Sequence, residues 1–279
     1  MTLKERIDEI LSLKKNQCWY ITKQKLIFQE LCVAASILEK YKKNNEALNF
    51  EKFFNKEIID NLYDIPSNHR FTNNCKYVGL LGLEHTQYVN NNLTEAYYNI
   101  KNLCRGDFSK TDLYNNEKID QIEKLVIAHQ VDRRKGGLRN EYKLHPVIYL
   151  YKILISIGDL TGKYLISLDE FKKFVGTSKN YFYFTTTIDL ILESRKTNSQ
   201  YKDDFAKINK ELFVDNRLNL LFSNLPYVDS KGNSISLNSN SLQVVRSKID
   251  YYEKNYNKKF DEWESVDFQN SSKSIFNFY

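Results

Sequence analysis

The segment from Asn68 to Ile100 limits the possible folds more than any other part of the sequence. It begins with a polar and basic stretch that ends at the apolar run Tyr77–Leu81, and this pattern predicts a polar helix with an apolar stop. A short stretch with turn residues predicts a hairpin, after which Leu93-Thr94-Glu95-Ala96 predicts the start of another helix. The order helix, small sheet, helix is that of a winged-helix unit.

Apolar residues at helical spacing predict a scaffold of helices before this segment. The stretch 21–43 repeats apolar residues at intervals of four and three, which indicates one buried face of a helix of about six turns. The stretch 49–62 carries a second such face, and Pro66 breaks the chain after it. The first face consists of Ile27, Leu31, Ala34, Leu38 and Tyr41, and the second of Phe50, Phe53, Phe54, Ile58 and Leu62.

A second set of elements begins near residue 144. Pro146 near a helix start and Gly158 at its end predict an apolar helix over 144–158. Ser167 and Glu170 have the spacing of a capping box, which predicts a short helix ending at Gly176. A third helix over 178–193 completes the pattern of a helix-turn-helix, although its β-branched and aromatic residues are also compatible with a strand.

The C-terminal part has a helix followed by a hairpin. A helix is expected over about 203–222, and residues 227–237 alternate apolar and polar side chains around Lys231-Gly232-Asn233. That alternation predicts a β-hairpin, as in the wing of a winged helix, and another helix follows over about 241–256. We therefore expect a mainly α fold with small β-hairpins (α+β), in which tandem winged-helix or helix-turn-helix subdomains lie on a helical scaffold.

The polar and charged stretch between residues 104 and 140 carries the main predicted boundary. A helix over 119–129 is followed by the basic run Val131–Arg139, in which Gly136 and Gly137 loosen the backbone. A chain of 279 residues is long enough for two domains or subdomains. We expect an N-terminal helical and winged-helix-like subdomain over residues 1–138, and a second winged-helix subdomain with a C-terminal tail over residues 139–279.

The charge and the polar side chains of these units make double-stranded DNA the expected partner. A net charge of +6 and a pI of about 8.8 allow a polyanionic partner without requiring one. Arg, Lys and Asn side chains suit guanine and adenine edges, and the basic loop suits the phosphate backbone. The predicted DNA-binding residues are His69, Arg70, Asn73, Asn74, Lys76, Arg133, Arg134, Lys135, Arg139, Lys179, Asn180, Lys231 and Asn233.

Several other classes are disfavoured by the sequence. The four cysteines, Cys18, Cys32, Cys75 and Cys104, stand far apart, so we expect reduced core thiols and no metal site. The charged N-terminal helix lacks a signal-peptide core, and the longest apolar run, 147–157, is too short for a bilayer. A Gly-rich phosphate loop and a nucleophile elbow are both missing. We expect a cytoplasmic protein without membrane contact or cofactor, and the Lys, Asn and Ile bias favours an AT-rich bacterial genome.

Three blocks of the sequence resemble the DNA-recognition half of type IIS restriction and nicking endonucleases, a recognition domain of winged-helix type. The blocks occur in the same order and span about residues 68–250. The matching motifs are Arg70 with Tyr77-Val78-Gly79-Leu80-Leu81 and Leu93-Thr94-Glu95-Ala96, His145-Pro146 to Gly158 with Ile166-Ser167-Leu168, and Gly232-Asn233-Ser234-Ile235-Ser236-Leu237-Asn238. Tyr97 replaces the helix glycine of the family, and Asn224-Leu225-Pro226 replaces its Gly-Leu stop. The resemblance implies a sequence-specific recognition domain or subunit of a bacterial type II restriction endonuclease.

A nuclease domain of this family holds Mg²⁺ with carboxylates beside a Lys. Asp159, Glu170 and Lys172 match the required spacing, but Glu170 already fits a capping box on a helix. The sequence therefore indicates a recognition module whose nuclease, with its Mg²⁺, belongs to another domain or subunit. Two alternatives remain: a complete small Mg²⁺-dependent restriction nuclease that uses Asp159, Glu170 and Lys172, and a winged-helix transcription regulator or protein adaptor.

Overall fold

A computed structural model describes residues 1–13, 19, 27–44, 49–76, 78–82, 87–123, 144–208, 225–230 and 232–254. The chain divides into two compact units. The helical unit comprises residues 22–125 and 266–279, and the sheet unit comprises residues 1–21 and 126–265. The expected boundary at residue 138 lies outside the described residues and stays a prediction.

The helical unit is built on two long helices, α2 (Phe28–Asn44) and α3 (Phe50–Asn61), which confirm the predicted scaffold. A 3-10 helix, His69–Lys76, packs against α2, and we call it the polar 3-10 helix. Further elements are the 3-10 helices Tyr88–Asn90 and Thr111–Tyr114, and the α-helices α4 (Glu95–Leu103) and α5 (Asn115–Glu123).

The buried faces of α2 and α3 follow the predicted spacing with two clear exceptions, Ile27 and Leu62. Ile27 was expected on the buried face of α2, but it lies before the start of that helix and its side chain is 41% exposed. Leu31, Ala34 and Leu38 are buried on α2, and Phe50, Phe53 and Phe54 are buried on α3. Leu62 was expected on the buried face of α3, and that expectation is wrong, since its side chain is 89% exposed. The helix ends one residue earlier, and Leu62 caps it in the left-handed conformation with φ of 54°, which turns the residue away from the helical face.

The segment after the polar 3-10 helix has the predicted order. Leu81 and Leu93 form an antiparallel bridge, although residues 83–86, the tip of the expected hairpin, lie outside the described part. Thr94 then begins α4 as its N-cap, because its hydroxyl accepts a hydrogen bond from Tyr97 N. The same hydroxyl donates to the carbonyl of Gly79, which ties the start of α4 to the end of the apolar stop.

In the sheet unit, α-helices precede, separate and follow the strands of a small sheet along the sequence. The helices are α1 (Leu3–Ser12), α6 (Pro146–Thr161), α7 (Leu168–Glu170, continued by a π-helical turn Phe171–Val175), α8 (Phe184–Ser194, preceded by the 3-10 turn Tyr181–Tyr183), α9 (Lys202–Lys207) and α10 (Leu242–Tyr252). Helix α6 is apolar on most of its surface and forms the centre of the core, with Tyr149, Ile153 and Ile157 fully buried.

Three short strands form an antiparallel sheet in the order β1-β3-β2. The strands are β1 (Leu165–Ser167), β2 (Val228–Asp229) and β3 (Ser234–Leu237). The register pairs Ile166 with Ile235 and Val228 with Leu237. The predicted hairpin is therefore confirmed. Strand β1, which the sequence analysis did not predict, completes the sheet.

The expected end of α6 at Gly158 is wrong. The helix continues to Thr161 and ends at Gly162, whose φ of 74° is the left-handed conformation of a helix C-cap. Gly158 serves packing instead, because a β-carbon there would lie 1.9 Å from Cδ1 of Tyr164. The two glycines thus have different physical roles that sequence spacing does not separate.

Helix α1 is part of the sheet unit, where it packs against α8 and α9. The fold is mainly helical with small β elements, as predicted from the sequence, and β1 extends the predicted hairpin to a three-stranded antiparallel sheet. Within the described ranges, no helix is both long enough and apolar enough to cross a membrane.

Candidate nucleic-acid interface

Arg70 is the most accessible of the predicted contact residues on the polar 3-10 helix. Its side chain is exposed, and its guanidinium makes no hydrogen bond or ion pair with any described residue. The backbone beneath it is fixed, because Arg70 N donates to Asn68 Oδ1 at 3.0 Å. Recognition of a guanine edge requires a cation that is held on an ordered backbone and is free to contact a partner.

His69 is anchored to the scaffold beside Arg70. Its ring lies edge-on to Phe50, with 6.4 Å between ring centroids, and Nδ1 is 3.8 Å from Glu51 Oε2. The hydroxyl of Tyr88 donates to the His69 carbonyl at 3.1 Å. Burial raises the pKa of Tyr88 to about 12, so this donor stays protonated at neutral pH. His69 therefore supports the start of the polar 3-10 helix and leaves only part of its ring for a ligand.

The remaining predicted residues of this helix are less accessible. Asn73 and Lys76 are half-buried, and Asn74 is only 6% exposed. Phe71 and Cys75 face the core, and Cys75 Sγ lies 3.3 Å from the carbonyl of Leu31 on α2. The rest of the protein covers most of the Asn74 side chain, which leaves little of it for a base edge. The sequence showed a polar stretch but did not show which of its polar residues face inward.

An ion network around the buried Glu39 fixes α4 against α2, the helix on which the polar 3-10 helix packs. Glu39 Oε2 accepts from Tyr97 Oη at 2.7 Å and from Lys101 Nζ at 2.6 Å, and Lys43 Nζ lies 2.7 Å from Oε1. Burial alone would raise the pKa of Glu39, but the three donors outweigh it and lower the pKa to about 2. The sequence analysis noted Tyr97 only as a departure from the family motif, and the structure gives it this role.

In the sheet unit, Lys179 and Asn180 lie in the turn that precedes α8. Asn180 Oδ1 accepts a hydrogen bond from Phe182 N at 3.0 Å, so the side chain caps the 3-10 turn Tyr181–Tyr183. Lys179 Nζ lies 3.6 Å from Glu9 Oε1. Asn180 therefore has a structural role that leaves its amide nitrogen to contact a partner, and Lys179 contributes positive charge at the start of α8.

The N-terminal segment clamps this turn, which the sequence analysis did not foresee. Arg6 is fully buried and donates from Nη2 to Thr177 Oγ1 at 2.9 Å, while its guanidinium lies 4.2 Å from the centroid of the Tyr183 ring. Trp19 donates from Nε1 to the carbonyl of Ser178 at 2.7 Å. The only sequence signal was the amphipathic character of α1, which does not reveal a buried arginine.

The β2–β3 hairpin presents Asn233 to solvent. Gly232 has a φ of 64°, as the tight turn requires, and the carbonyl of Asn233 accepts from Leu168 N at 2.7 Å. That hydrogen bond ties the hairpin to the start of α7. The predicted contact residues Lys231, Arg133, Arg134, Lys135 and Arg139 lie outside the described residues.

Two of the three residues of the nuclease alternative, Asp159 and Glu170, make other contacts. Asp159 accepts from both terminal nitrogens of Arg246, which lowers the pKa of the Asp159 carboxyl. Glu170 Oε2 accepts from Ser167 N at 2.6 Å, and Oε1 accepts from Arg195 Nε at 2.6 Å. Two carboxylates held by separate arginines are poorly placed to share a cation. Among the residues that the structure describes, no group of three or more His, Cys, Asp or Glu side chains converges on a metal position.

The described cysteines are core residues. Cys32, Cys75 and Cys104 are buried free thiols in the helical unit. Burial raises the pKa of Cys32 and of Cys75, so both thiols are protonated at neutral pH. These three cysteines therefore contribute to packing, as the sequence analysis expected of them.

Comparison with solved structures identifies the fold. The chain is similar to the BpuJ1 endonuclease binding domain, whose crystal structure was determined in complex with pyrene- and phenanthrene-modified DNA. The match covers 92% of this chain and 96% of that domain with a TM-score of 0.51 and 14% sequence identity. No known family model matches the sequence, and no curated protein sequence matches it. The likeness at this identity shows that the chain has the fold of an endonuclease DNA-binding domain.

Proposed function

We propose that this chain is a sequence-specific double-stranded DNA-binding module of a bacterial type II restriction endonuclease, and that it works in the cytoplasm. One observation carries the proposal: the chain shares its fold, over 92% of its length, with an endonuclease binding domain whose structure contains DNA. In this proposal the cleavage chemistry and its Mg²⁺ belong to another domain or subunit. The arginine-bound carboxylates Asp159 and Glu170 support that division of labour.

The element order of the sheet unit supports a winged-helix arrangement. Helix α6, strand β1, helices α7 and α8 and the β2–β3 hairpin follow one another, and the sheet order is β1-β3-β2. In a winged helix the second helix of the helix-turn-helix enters the major groove and the hairpin forms the wing. We assign those roles to α8 and to the β2–β3 hairpin. Helix α9 then lies between them in the sequence.

In the helical unit we assign base recognition to Arg70. Its exposed guanidinium has the geometry for two hydrogen bonds to guanine O6 and N7. His69, Asn73 and Lys76, which are half-buried, are assigned supporting contacts at the edge of the same surface. The phosphate contacts are assigned to the basic residues Arg133, Arg134, Lys135 and Arg139 and to Lys179, Asn180, Lys231 and Asn233.

The experiment compares Arg70→Ala with Lys56→Ala on a preferred and a scrambled duplex. Lys56 is an exposed cation on α3 of the same unit, so its removal changes the net charge equally. Arg70→Ala should lose about 1–3 kcal/mol of binding free energy on the preferred duplex and little on the scrambled one. Lys56→Ala should have a small effect on both duplexes. Equal losses on the two duplexes for Arg70→Ala would remove Arg70 from base recognition.

A further inference from the structure

The 3-10 turn Tyr181–Tyr183 and the outer face of α8 that follows it carry three side chains of different chemistry in one row. Phe182, Thr185 and Asp189 follow one another at intervals of three and four residues, which places them on the same side of the helix. All three are exposed, and their side chains make no hydrogen bond, ion pair or ring contact with any residue that the structure describes. The opposite face is buried through Ile188, Leu190 and Ile191.

The position of Phe182 is fixed by its two neighbours. The ring of Tyr181 packs edge-on against Tyr149, with 5.7 Å between centroids. Tyr183 donates from its hydroxyl to Glu9 Oε1 at 3.0 Å and lies beneath the guanidinium of Arg6. With both tyrosines held on the inner side, the Phe182 side chain is directed outward and is 74% exposed. An aromatic side chain on a backbone held this firmly loses little conformational freedom when a partner covers it.

The cations beside this row are both ion-paired on the protein, which leaves the Asp189 carboxylate as its unpaired charge among the described residues. Lys179, before the row, lies 3.6 Å from Glu9 Oε1, and Lys196, after it, is paired at 2.6 Å with Glu193, which follows Asp189 by one turn. The Asp189 carboxylate, between them, is repelled by phosphates. Its contact with a duplex is favourable only where it accepts a hydrogen bond from a base amino group. In the major groove cytosine N4 offers that donor, and a carboxylate is its usual partner.

On the basis of the proposed function, we infer that the outer face of α8 determines sequence preference in the sheet unit. Asp189 accepts a hydrogen bond from N4 of a cytosine, and Phe182 covers the 5-methyl group of a thymine. Seven residues of helix span about 10 Å. That length corresponds to about three steps of 3.4 Å along one DNA strand. The preferred duplex therefore contains a cytosine and a thymine within about three base pairs of each other.

The test is selection from random duplexes with the wild-type chain, Asp189→Asn and the control Asp250→Asn. Asp250 is an exposed carboxylate near the end of α10, so the control makes the same chemical change elsewhere in the sheet unit. The preference for one C·G pair should be about tenfold weaker in Asp189→Asn than in the wild-type chain. The variant should also bind scrambled duplexes more tightly than wild type, because it lacks the negative charge. Asp250→Asn should retain the wild-type motif. Thermal unfolding followed by circular dichroism should show equal stability, since both positions are exposed.

A second arm tests Phe182 with uracil in place of thymine, which removes only the methyl group. When uracil replaces thymine at the contacted position, the affinity of the wild-type chain should fall about threefold to tenfold. The affinity of Phe182→Ala should be the same for the thymine and the uracil duplex. An unchanged C·G preference in Asp189→Asn would overturn the inference and leave the proposed function intact. A wild-type chain that binds no duplex would overturn the proposed function itself.

Discussion

Replacement of Arg6 by Met is expected to destabilise the sheet unit by about 2–4 kcal/mol. The fully buried guanidinium donates to Glu9 Oε2 at 2.7 Å and to Thr177 Oγ1 at 2.9 Å. A hydrogen bond involving a charged group contributes about 1.5–3 kcal/mol, and the contact with the Tyr183 ring at 4.2 Å adds about 0.5–2 kcal/mol. Methionine fills a similar volume without a buried charge, which offsets part of this loss.

The assay is urea unfolding followed by circular dichroism, with the free energy of unfolding taken by linear extrapolation. Lys4→Met is the matched control on the same helix. Lys4 Nζ lies 3.0 Å from both Asp8 and Asp204, but its side chain is 52% exposed, so its loss should leave the free energy of unfolding nearly unchanged. An equal decrease in the free energy of unfolding in the two variants, or a decrease below about 0.5 kcal/mol for Arg6→Met, would refute the stabilising role that we assign to Arg6.

Three further predictions concern pH, salt and metal ions. As pH falls from about 4.5 to about 2, the helical unit should lose up to about 3 kcal/mol of stability, because the folded state lowers the pKa of Glu39 to about 2. Acid unfolding curves of Glu39→Gln should lack that part of the pH dependence. Replacing Arg133 and Arg134 together by Ala should weaken binding to all duplexes about equally and lower the salt slope by about two units, and a selective loss on the preferred duplex would contradict their assignment to phosphates. Purified chain with Mg²⁺ or Mn²⁺ should leave DNA uncut, whereas cleavage abolished by Glu170→Ala or Lys172→Ala would favour the nuclease alternative.

Local patterns predicted much of the fold because they act over a few residues. The spacing of apolar residues predicted α2 and α3, and the Ser167–Glu170 capping box is present as expected. The alternation around Gly232 predicted the β2–β3 hairpin. Strand β1 was missed because three residues between two helices carry no periodic signal, and only its pairing with β3 makes it a strand.

The candidate interface was less predictable, because burial depends on contacts between distant residues. Arg70 and Asn74 are both polar residues of one short helix, yet the first is exposed and the second is buried. Arg6 looks like a surface residue of a charged helix, and only its contact with Thr177 reveals its role. Asp189 was overlooked because the sequence analysis searched for positive charge, and an acidic residue does not fit that search even on the helix that we propose to enter the major groove.

Selection from random double-stranded DNA at physiological salt tests the central claim most directly. The unmodified chain is incubated with the random pool, the bound fraction is sequenced, and affinities are then measured on recovered and scrambled duplexes. The account predicts one enriched short motif that binds at least about a thousandfold more tightly than scrambled DNA. Recovery of an unbiased pool, or equal affinity for both duplexes, would contradict sequence-specific DNA recognition by this chain.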